Sequence, residues 1–291
     1  MRMTGILMDV KRMAVHDGPG LRTTLFLKGC PLTCIWCHNP EGQSFRPELA
    51  FFENKCTGCG RCRSICHSDA YSRQQCTACG QCTSVCASGA RKLYGREVSL
   101  DEALRIALED RIFYGSTGGV TLSGGEPLMQ ADFAEALLRE LCAQGVHTAV
   151  DTCGHVPWSA FERILPHCQL YLFDIKHMDG EKHWQATGQG NGLILDNLRR
   201  LAASDARIQI RIPLIPDFND DDENIRCTGE FLKEIRPEKI KLLPYHDMAH
   251  IKYRAIGKKD TLPLRPDDML ERLHHSVEIM KKMNLPVYSD Q

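Results

Sequence analysis

The sequence predicts a parallel α/β fold, either barrel-like or doubly wound, that is interrupted by a small cysteine-rich insert. Short apolar runs recur along the chain with helical patterns between them, which is typical of a parallel sheet covered by helices. The interval 51–91 breaks this alternation, because it is rich in Cys, Gly, Ser and Gln and poor in Leu, Ile and Val. We therefore predict a main domain of residues 1–50 and 92–291, with residues 51–91 inserted into it.

The predicted strands are apolar almost throughout, as expected of parallel strands that are covered on both faces. They span residues 23–28, 119–122, 147–151, 170–174, 208–213 and 239–243. Helices are predicted at residues 100–110, 131–144, 158–165, 193–203, 222–235 and 267–283. The first helix follows Ser99 with Glu102 in a capping-box arrangement, and the second ends at Gly145, a helix-terminating residue.

The insert contains an internal repeat. CTGCGRCRSIC (56–66) and CTACGQCTSVC (76–86) match at most positions, and each has the spacing C-x2-C-x2-C-x3-C of bacterial two-cluster ferredoxins. By that spacing rule, two [4Fe–4S] clusters take one ligand set each: Cys56, Cys59, Cys62 and Cys86, and Cys76, Cys79, Cys82 and Cys66. Zinc is the alternative, but two consecutive runs of four cysteines fit clusters better. His67 and Ala87 stand where proline usually follows the last cysteine.

A third cysteine group, in GCPLTCIWCHNPE, follows the first predicted strand. Thiolates of Cys30, Cys34 and Cys37 can hold three corners of a cube. The sequence shows no fourth cysteine nearby, so one iron would stay open, as in catalytic metal sites. The alternative is a structural zinc or cluster site that is completed by His38.

The chain has fifteen cysteines, which we expect to be reduced. The isolated ones, Cys142, Cys153, Cys168 and Cys227, are predicted to be small buried apolar residues. Lys and Arg number 36 against 37 Asp and Glu, which gives no reason to expect nucleic acid or an anionic membrane as a partner. The N-terminal residues 1–10 have no apolar core long enough for a signal peptide, and no apolar run approaches the roughly 20 residues of a membrane helix, so we predict a cytoplasmic protein.

Polar segments follow several predicted strands. They are SGGEP with Gly124, Gly125 and Glu126; DTCG with Asp151; DIK with Asp174, Ile175 and Lys176; and PYH with His246. Arg211 lies on the fifth predicted strand. Barrel enzymes place their chemistry at the carboxyl ends of parallel strands, so this recurrence predicts an active site there.

The C-x3-C-x2-C triplet, with Trp36 between its last two cysteines, closely resembles that of the radical S-adenosylmethionine superfamily. HDGPGLR (16–22), SGGEP, DIK and LLPYH further resemble the glycyl-radical enzyme activating enzymes, such as pyruvate formate-lyase activase. The eight-cysteine insert matches the branch of that family that carries such a domain. The resemblance covers nearly the whole chain.

The resemblance implies reductive cleavage of S-adenosylmethionine to a 5′-deoxyadenosyl radical, which takes a hydrogen atom from a glycine of a partner glycyl-radical enzyme. It implies three [4Fe–4S] clusters and a flavodoxin or ferredoxin-type electron donor. Because the partner's glycine loop has to enter the site, an open barrel is favoured over a closed one. We therefore expect a partial (β/α)6 TIM-like barrel with an inserted two-cluster ferredoxin-like domain.

The resemblance also implies residue roles. Cys30, Cys34, Cys37 and Lys176 would be catalytic. Cofactor contacts would come from Trp36, His38, Gly124, Gly125, Glu126, Asp174, Ile175, Lys176 and His246. Arg211 would anchor substrate or cofactor, Asp151 and Asp174 would bind a monovalent cation, and Asp17, Gly18 and Arg22 would receive the partner's loop.

Two alternatives remain open at this point. The first is another radical S-adenosylmethionine enzyme that acts on a peptide or small molecule, and HDGPGLR argues against it. The second is a non-catalytic electron-transfer protein with three clusters, which would need neither an open iron nor the SGGEP and DIK segments.

Overall fold

The computed structural model describes residues 3–67 and 75–288. Residues 68–74 of the predicted insert therefore lie outside the described part of the chain. Within the described part, nine strands form one sheet in the order β11-β10-β9-β8-β7-β6-β2-β1-β5. They are β1 (Thr4–Ala14), β2 (Arg22–Leu27), β5 (Arg96–Ser99), β6 (Gly119–Gly124), β7 (His147–Thr152), β8 (Leu170–Asp174), β9 (Ile208–Leu214), β10 (Lys239–Pro244) and β11 (Val287–Tyr288). A separate pair, β3 (Glu48–Phe51) and β4 (Arg91–Tyr94), is antiparallel.

The sheet is mostly parallel, as predicted. Strands β2, β6, β7, β8, β9, β10 and β11 run in one direction, and β1 is antiparallel to both of its neighbours. The six strands expected from the apolar runs correspond to β2, β6, β7, β8, β9 and β10. In the described sheet, β11 and β5 are the two edges and do not pair with each other, so the sheet does not close.

The helices are α1 (Arg61–Ile65), α2 (Gln81–Ser84), α3 (Leu100–Leu108), α4 (Ala131–Ala143), α5 (Trp158–Ile164), α6 (Gly180–Thr187), α7 (Gly192–Ala203), α8 (Asp222–Ile235), α9 (His250–Ile256) and α10 (Met269–Lys282). Each of the six predicted helices is present, with ends that differ from the prediction by at most two residues. Ser99 caps α3 by accepting a hydrogen bond from the Glu102 N–H at 3.3 Å. No helix in the described ranges is long and apolar enough to span a bilayer.

Several elements were not predicted, and the reason is their composition. Strand β1 has no continuous apolar run, because its buried residues Leu7 and Met8 are followed by Asp9 and by the exposed Lys11 and Arg12. Helix α6 carries few apolar residues, although Asp179 caps it through the N–H groups of Glu181 and Lys182. A cap of this kind is a readable signal even where the apolar pattern is weak.

The two faces of the sheet differ in character, and this difference positions the site. Alternate residues such as Leu122, Val150 and Phe173 are fully buried in the main core, which includes residues of the surrounding helices. On the other face, polar side chains lie toward the carboxyl ends of the strands. Asp174 pairs in register with Arg211 there, across β8 and β9. A polar cluster therefore lies on the face of the sheet that is opposite the main core.

In the described part of the predicted insert, the two sequence repeats have similar backbone conformations. Its base is the β3–β4 pair, in which Phe51 lies opposite Arg91. Helices α1 and α2 each follow a left-handed glycine, Gly60 at φ 72° and Gly80 at φ 79°. The two halves therefore turn in the same way before each short helix.

Candidate functional site

The loop that carries the cysteine triplet starts at the carboxyl end of β2 and folds back on itself. Gly29 N–H donates to the Gly42 carbonyl at 2.8 Å, and Cys30 N–H donates to the Gln43 carbonyl at 3.0 Å. Within the loop, Cys37 N–H donates to the Cys34 carbonyl at 3.1 Å. The backbone thus holds the three cysteines in one compact segment.

The turn after β6 lies directly against this loop, and glycine makes the contact possible. A Cβ on Gly125 would lie only 2.4 Å from the Gly29 carbonyl oxygen and 2.5 Å from that of Gly42. Gly124 has a φ of +126°, which side-chain-bearing residues rarely adopt. Gly124 and Gly125 are therefore required for the packing of SGGEP against the triplet loop.

Glu126 is fully buried and joins two turns of the site. Its Oε2 accepts hydrogen bonds from the Thr152 hydroxyl at 2.8 Å and the Cys153 N–H at 2.7 Å. Its Oε1 accepts from the Leu128 N–H at 3.0 Å, and burial raises the pKa of the carboxyl. The structure gives Glu126 a structural role between two turns, and its direct contact with a cofactor stays a prediction.

Lys176 places a buried ammonium group among the sulfur atoms of the site. It is 7% exposed, and its Nζ lies 2.9 Å from Asp174 Oδ2. Burial alone would lower the pKa of Lys176, but Asp174 and the thiols of Cys34 and Cys153 outweigh it and hold that pKa above the usual value. Lys176 therefore stays charged and favours negative charge at the triplet.

Asp151, Asp174 and Arg211 form the polar cluster beside Lys176. The Asp151 carboxylate accepts a hydrogen bond from the Ser123 hydroxyl at 2.8 Å and lies 3.3 Å from Arg211 Nη1. Arg211 Nε lies 3.9 Å from Asp174 Oδ1. Burial raises the pKa of Asp151 to about 6, with Arg211 opposing the shift and Asp174 adding to it.

His38 and His246 come from distant parts of the sequence and stack on each other, with ring centroids 4.0 Å apart. Burial lowers the pKa of His38 to about 4, so this ring is neutral near pH 7. Trp36 is 5% exposed and packs on Phe218, at 4.8 Å between ring centroids. In the described part of the chain, His38 Nε2, His246 Nδ1 and two Arg211 nitrogens, Nε and Nη1, are buried without a hydrogen-bond partner.

The expectation that no further cysteine lies near the triplet is wrong. The Cys153 thiol is buried and hydrogen-bonds to Cys30, which lowers the pKa of Cys30 and raises that of Cys153. The sequence did not predict this contact, because Cys153 is far from Cys30 along the chain. The turn after β7, which is bonded to Glu126, brings Cys153 to the site. Its burial agrees with the prediction for isolated cysteines.

Cys227 departs from that prediction, because it is exposed. It lies on α8 outside the buried positions Asn224, Ile225, Thr228 and Phe231. Cys142 and Cys168 are half-buried rather than fully buried.

The triplet thiols do not converge on a single metal-binding point in the described structure. Within residues 3–67 and 75–288, no group of three or more His, Cys, Asp or Glu side chains could ligate a single metal ion. A cube binds each thiolate at a different iron, so its ligands need not converge on one point. Burial raises the pKa of Cys34 to about 12 and that of Cys37 to about 11, so metal binding has to displace their protons.

In the insert, four cysteines from both repeats line one small cavity. They are Cys66, Cys76, Cys79 and Cys82, and Leu49 of β3 lies beside them. The Ala78 N–H donates to Cys76 Sγ at 3.4 Å. Cys56 and Cys59 of the first repeat are exposed, whereas Cys82 of the second is buried.

Of the residues predicted to receive a partner loop, Arg22 lies at the amino end of the parallel strands, whereas Asp17 contacts β2 further along, at Thr24. Arg22 is fully buried, and its guanidinium donates to the Thr121 hydroxyl at 2.7 Å and the Val120 carbonyl at 2.6 Å. Asp17 accepts a hydrogen bond from the Thr24 hydroxyl at 2.8 Å. Because Arg22 begins β2 and the cysteine loop follows its end, the structure places Arg22 at the opposite end of the strand from Cys30.

Comparison with known proteins agrees with this geometry. The "Radical SAM superfamily" profile matches residues 24–226. The trans-4-hydroxy-L-proline dehydratase activating enzyme of Clostridioides difficile is 42% identical over 270 residues, covering 88% of this chain and 89% of that protein. The chain belongs to the glycyl-radical enzyme activating enzymes of the radical SAM superfamily.

Two further relatives support this membership. The isethionate sulfite-lyase activating enzyme of Oleidesulfovibrio alaskensis is 42% identical over 275 residues, with 89% of each chain covered. A solved domain of a pyruvate-formate lyase-activating enzyme from Bacteroides vulgatus superposes with a TM-score of 0.51 and 35% identity, covering 60% of this chain and 99% of that domain.

Family membership implies a [4Fe–4S] cluster, S-adenosylmethionine and a glycyl-radical enzyme as partner. The residues present fit those groups. The three thiols of the triplet would provide three cluster ligands, and Lys176 would supply a compensating positive charge. Nitrogens of His38, His246 and Arg211 that have no hydrogen-bond partner among the described residues would be available to a polar ligand.

The structure adds residues to the site that sequence reasoning missed. Thr152 and Cys153 join it through Glu126. Lys252 and Lys258 reach it from α9 and the residues that follow, a region with no predicted helix. The available signal was the Gly257 that ends α9, but the apolar pattern before it is too short to predict a helix.

Proposed function

We propose that Cys30, Cys34 and Cys37 hold the cluster and leave its fourth iron for S-adenosylmethionine. When bound and reduced, the cluster supplies one electron that splits the cofactor into methionine and a 5′-deoxyadenosyl radical, which takes a hydrogen atom from a glycine of the partner. One observation carries the proposal: the charged Lys176 ammonium is buried beside the Cys34 thiol and 2.9 Å from Asp174.

The surrounding residues bind and orient the cofactor in this proposal. Gly124 and Gly125 let backbone groups approach it, and Trp36, Ile175 and the stacked His38 and His246 bound it on other sides. The neutral state of His38 and its unpartnered Nε2 support a hydrogen-bonding rather than an ionic role.

A monovalent cation between Asp151 and Asp174 is a finer part of the proposal. Both carboxylates already face Arg211, so a cation would share them with the guanidinium. The raised pKa of Asp151 supports the idea, because a second positive charge would offset the effects of burial and of the nearby Asp174 carboxylate.

The insert of residues 51–91 is proposed to be a ferredoxin-like domain with two [4Fe–4S] clusters, bringing the total to three. The cavity lined by Cys66, Cys76, Cys79 and Cys82 supports the second ligand set, including its crossover from the first repeat. The first set would be Cys56, Cys59, Cys62 and Cys86. The antiparallel β3–β4 pair at the base supports a boundary with residues 1–50 and 92–291.

The electron donor is proposed to be an acidic carrier of the flavodoxin or ferredoxin type. Arg61 and Arg63 of the first repeat and Lys55 just before it are exposed, and among the described residues 53–67 the one acidic residue beside them is the exposed Glu53. Residues 75–90 of the second repeat carry no formal charge. The exposed Cys56 and Cys59 therefore lie in the more basic half, where an acidic carrier is attracted.

The partner's glycine loop is proposed to contact Asp17 and Gly18, and Arg22 is proposed to support the turn that these two residues form. The Arg22 guanidinium donates to the Pro19 carbonyl at 3.2 Å and so supports the Asp17–Gly18 turn. Arg211, with two unpartnered nitrogens, is a second candidate to hold the loop or the cofactor.

The proposal is tested by anaerobic iron loading, reduction with dithionite and addition of S-adenosylmethionine. We expect 5′-deoxyadenosine from the chain alone, and a glycyl-radical EPR signal when a glycyl-radical enzyme encoded beside its gene is added. Fully loaded protein that forms no 5′-deoxyadenosine would contradict the proposal. Cleavage without a glycyl radical on that protein would reject only that partner.

A further inference from the structure

Helix α9 and the residues after it reach across the segment that follows the third cysteine. Lys252 Nζ donates to the His38 carbonyl at 2.9 Å and to Asn39 Oδ1 at 2.8 Å, and it lies 2.7 Å from Glu41 Oε1. One lysine thus contacts residues 38, 39 and 41 together.

Further contacts extend this attachment along the same loop. Lys258 Nζ donates to the Pro40 carbonyl at 2.6 Å and to Gln43 Oε1 at 3.1 Å. The Thr261 hydroxyl donates to the Ile35 carbonyl at 2.8 Å. The loop from residue 35 to residue 43 is therefore held from outside by a segment more than two hundred residues away in the sequence.

The ion pair of Lys252 with Glu41 is the most consequential of these contacts. Glu41 is 2% exposed, and among the described residues its Oε2 has no hydrogen-bond partner. Lys28 reaches only the backbone carbonyl of Glu41, at 2.7 Å. A buried carboxylate of this kind is unfavourable without its cation, so Lys252 sets where Glu41, and hence its loop, can lie.

Residues 37–42 connect directly to the proposed cofactor contacts. Cys37 begins the segment, and His38 stacks on His246. Gly42 ends it, and a Cβ there would lie 3.1 Å from the Gly125 nitrogen. Displacement of the segment would therefore disturb a cluster ligand and the glycine turn together.

We propose that Lys252 is a positioning residue for cofactor binding, which it serves by fixing the segment between Cys37 and Gly42 through Glu41. The inference rests on the proposed function but goes beyond it, because neither the cysteine pattern nor the strand-end segments include α9. Lys252 itself touches backbone and side chains of the loop rather than the reacting atoms.

The test compares Lys252→Met with Lys252→Arg in iron-loaded, anaerobic protein. Met keeps much of the aliphatic stem and removes the charge and the donors, so we expect S-adenosylmethionine to bind about tenfold more weakly, a typical loss for a residue that orients metal ligands. The cofactor-induced change in the cluster EPR spectrum should weaken in parallel. Arg keeps a positive charge for the buried Glu41 carboxylate and should restore affinity to within about threefold.

Lys233→Met is the matched control, because Lys233 forms an exposed pair with Glu230 at 2.9 Å on α8. It should leave both affinity and spectrum unchanged. Wild-type affinity and spectrum in Lys252→Met would overturn the inference, and so would equal losses in Lys252→Met and Lys252→Arg.

If Lys252→Met cannot be loaded with iron, Glu41→Gln decides. It removes the carboxylate charge that Lys252→Met leaves buried without a cation, so the double variant Glu41→Gln/Lys252→Met should load better than Lys252→Met alone. No such rescue would overturn the inference. Failure of wild-type protein to bind S-adenosylmethionine would instead contradict the proposed function, so the two failures are distinguishable.

Discussion

The Glu126 carboxylate accepts a hydrogen bond from the Cys153 N–H at 2.7 Å, and this contact joins the turn after β6 to the turn after β7. The same oxygen accepts from the Thr152 hydroxyl. Through this connection, the Cys153 thiol comes to lie beside Cys30. A residue expected to contact the cofactor thus also determines how two neighbouring turns meet.

Replacement of Glu126 with Ala should destabilise the protein. It leaves the N–H groups of Cys153 and Leu128 and the Thr152 hydroxyl without their acceptor, so we expect a loss of about 3 kcal/mol in the free energy of unfolding. Anaerobic denaturant unfolding measures it. Glu140→Ala on α4, where the glutamate is exposed, is the control. Equal free energies of unfolding for Glu126→Ala and Glu140→Ala would show that the buried contacts of Glu126 contribute little.

Asp174→Asn should weaken cofactor binding and stability together. Lys176 is 7% exposed and loses its carboxylate partner, and breaking a buried pair typically costs about 3–5 kcal/mol. The double variant Asp174→Asn/Lys176→Met should lose less stability than the sum of the single variants, because no uncompensated charge remains. Calorimetric titration with S-adenosylmethionine and thermal unfolding check this, with the exposed Asp196→Asn as control. A stability loss in the double variant equal to the sum of the two single losses would contradict a coupled Asp174–Lys176 pair.

Substitutions of single cysteines should separate the two kinds of cluster site. Cys34→Ala should abolish 5′-deoxyadenosine formation, because it removes a ligand of the proposed catalytic cluster. Cys79→Ala should keep part of the activity with dithionite, if the insert only relays electrons. Cys227→Ala, at an exposed position on α8, should behave as wild type. Equal loss in Cys34→Ala and Cys79→Ala would contradict the proposed division of roles.

Arg22→Met should act mainly on stability. The buried guanidinium bonds to Thr121, Val120 and Pro19, so we expect a loss of about 3 kcal/mol in unfolding free energy, with cofactor cleavage retained in the folded fraction. Arg207→Met is the control, since Arg207 is an exposed partner of Glu238. Unchanged stability with loss of glycyl-radical formation alone would instead favour a direct role at the partner loop.

His147 should contribute to acid sensitivity. Burial and the nearby Arg22 lower the pKa of His147 to about 4, below its ordinary value of about 6.5. The unfolded chain therefore binds more protons between these values, and stability falls as the pH drops through this range. His147→Gln should reduce the fall in melting temperature between pH 7 and pH 5, measured by anaerobic thermal unfolding. An unchanged fall would contradict the pKa shift.

The sequence by itself determined the strands β2, β6, β7, β8, β9 and β10, because their buried apolar runs are local signals that survive without tertiary context. It also located the polar segments that follow them. The three thiols of the triplet are close in sequence, so their spacing alone restricts them to one loop. The helix end at Gly145 was readable for the same reason: its N–H donates to the Cys142 carbonyl at 2.9 Å, a local contact.

Only the tertiary structure decided which distant groups surround that loop. The Cys30–Cys153 contact, the His38–His246 stack and the Lys252–Glu41 pair each join residues more than one hundred positions apart. Such contacts depend on how strand ends are brought together by the parallel sheet, and no local pattern encodes them. The burial of Arg22 has the same origin, because it results from the packing of β6 and β7 around its guanidinium.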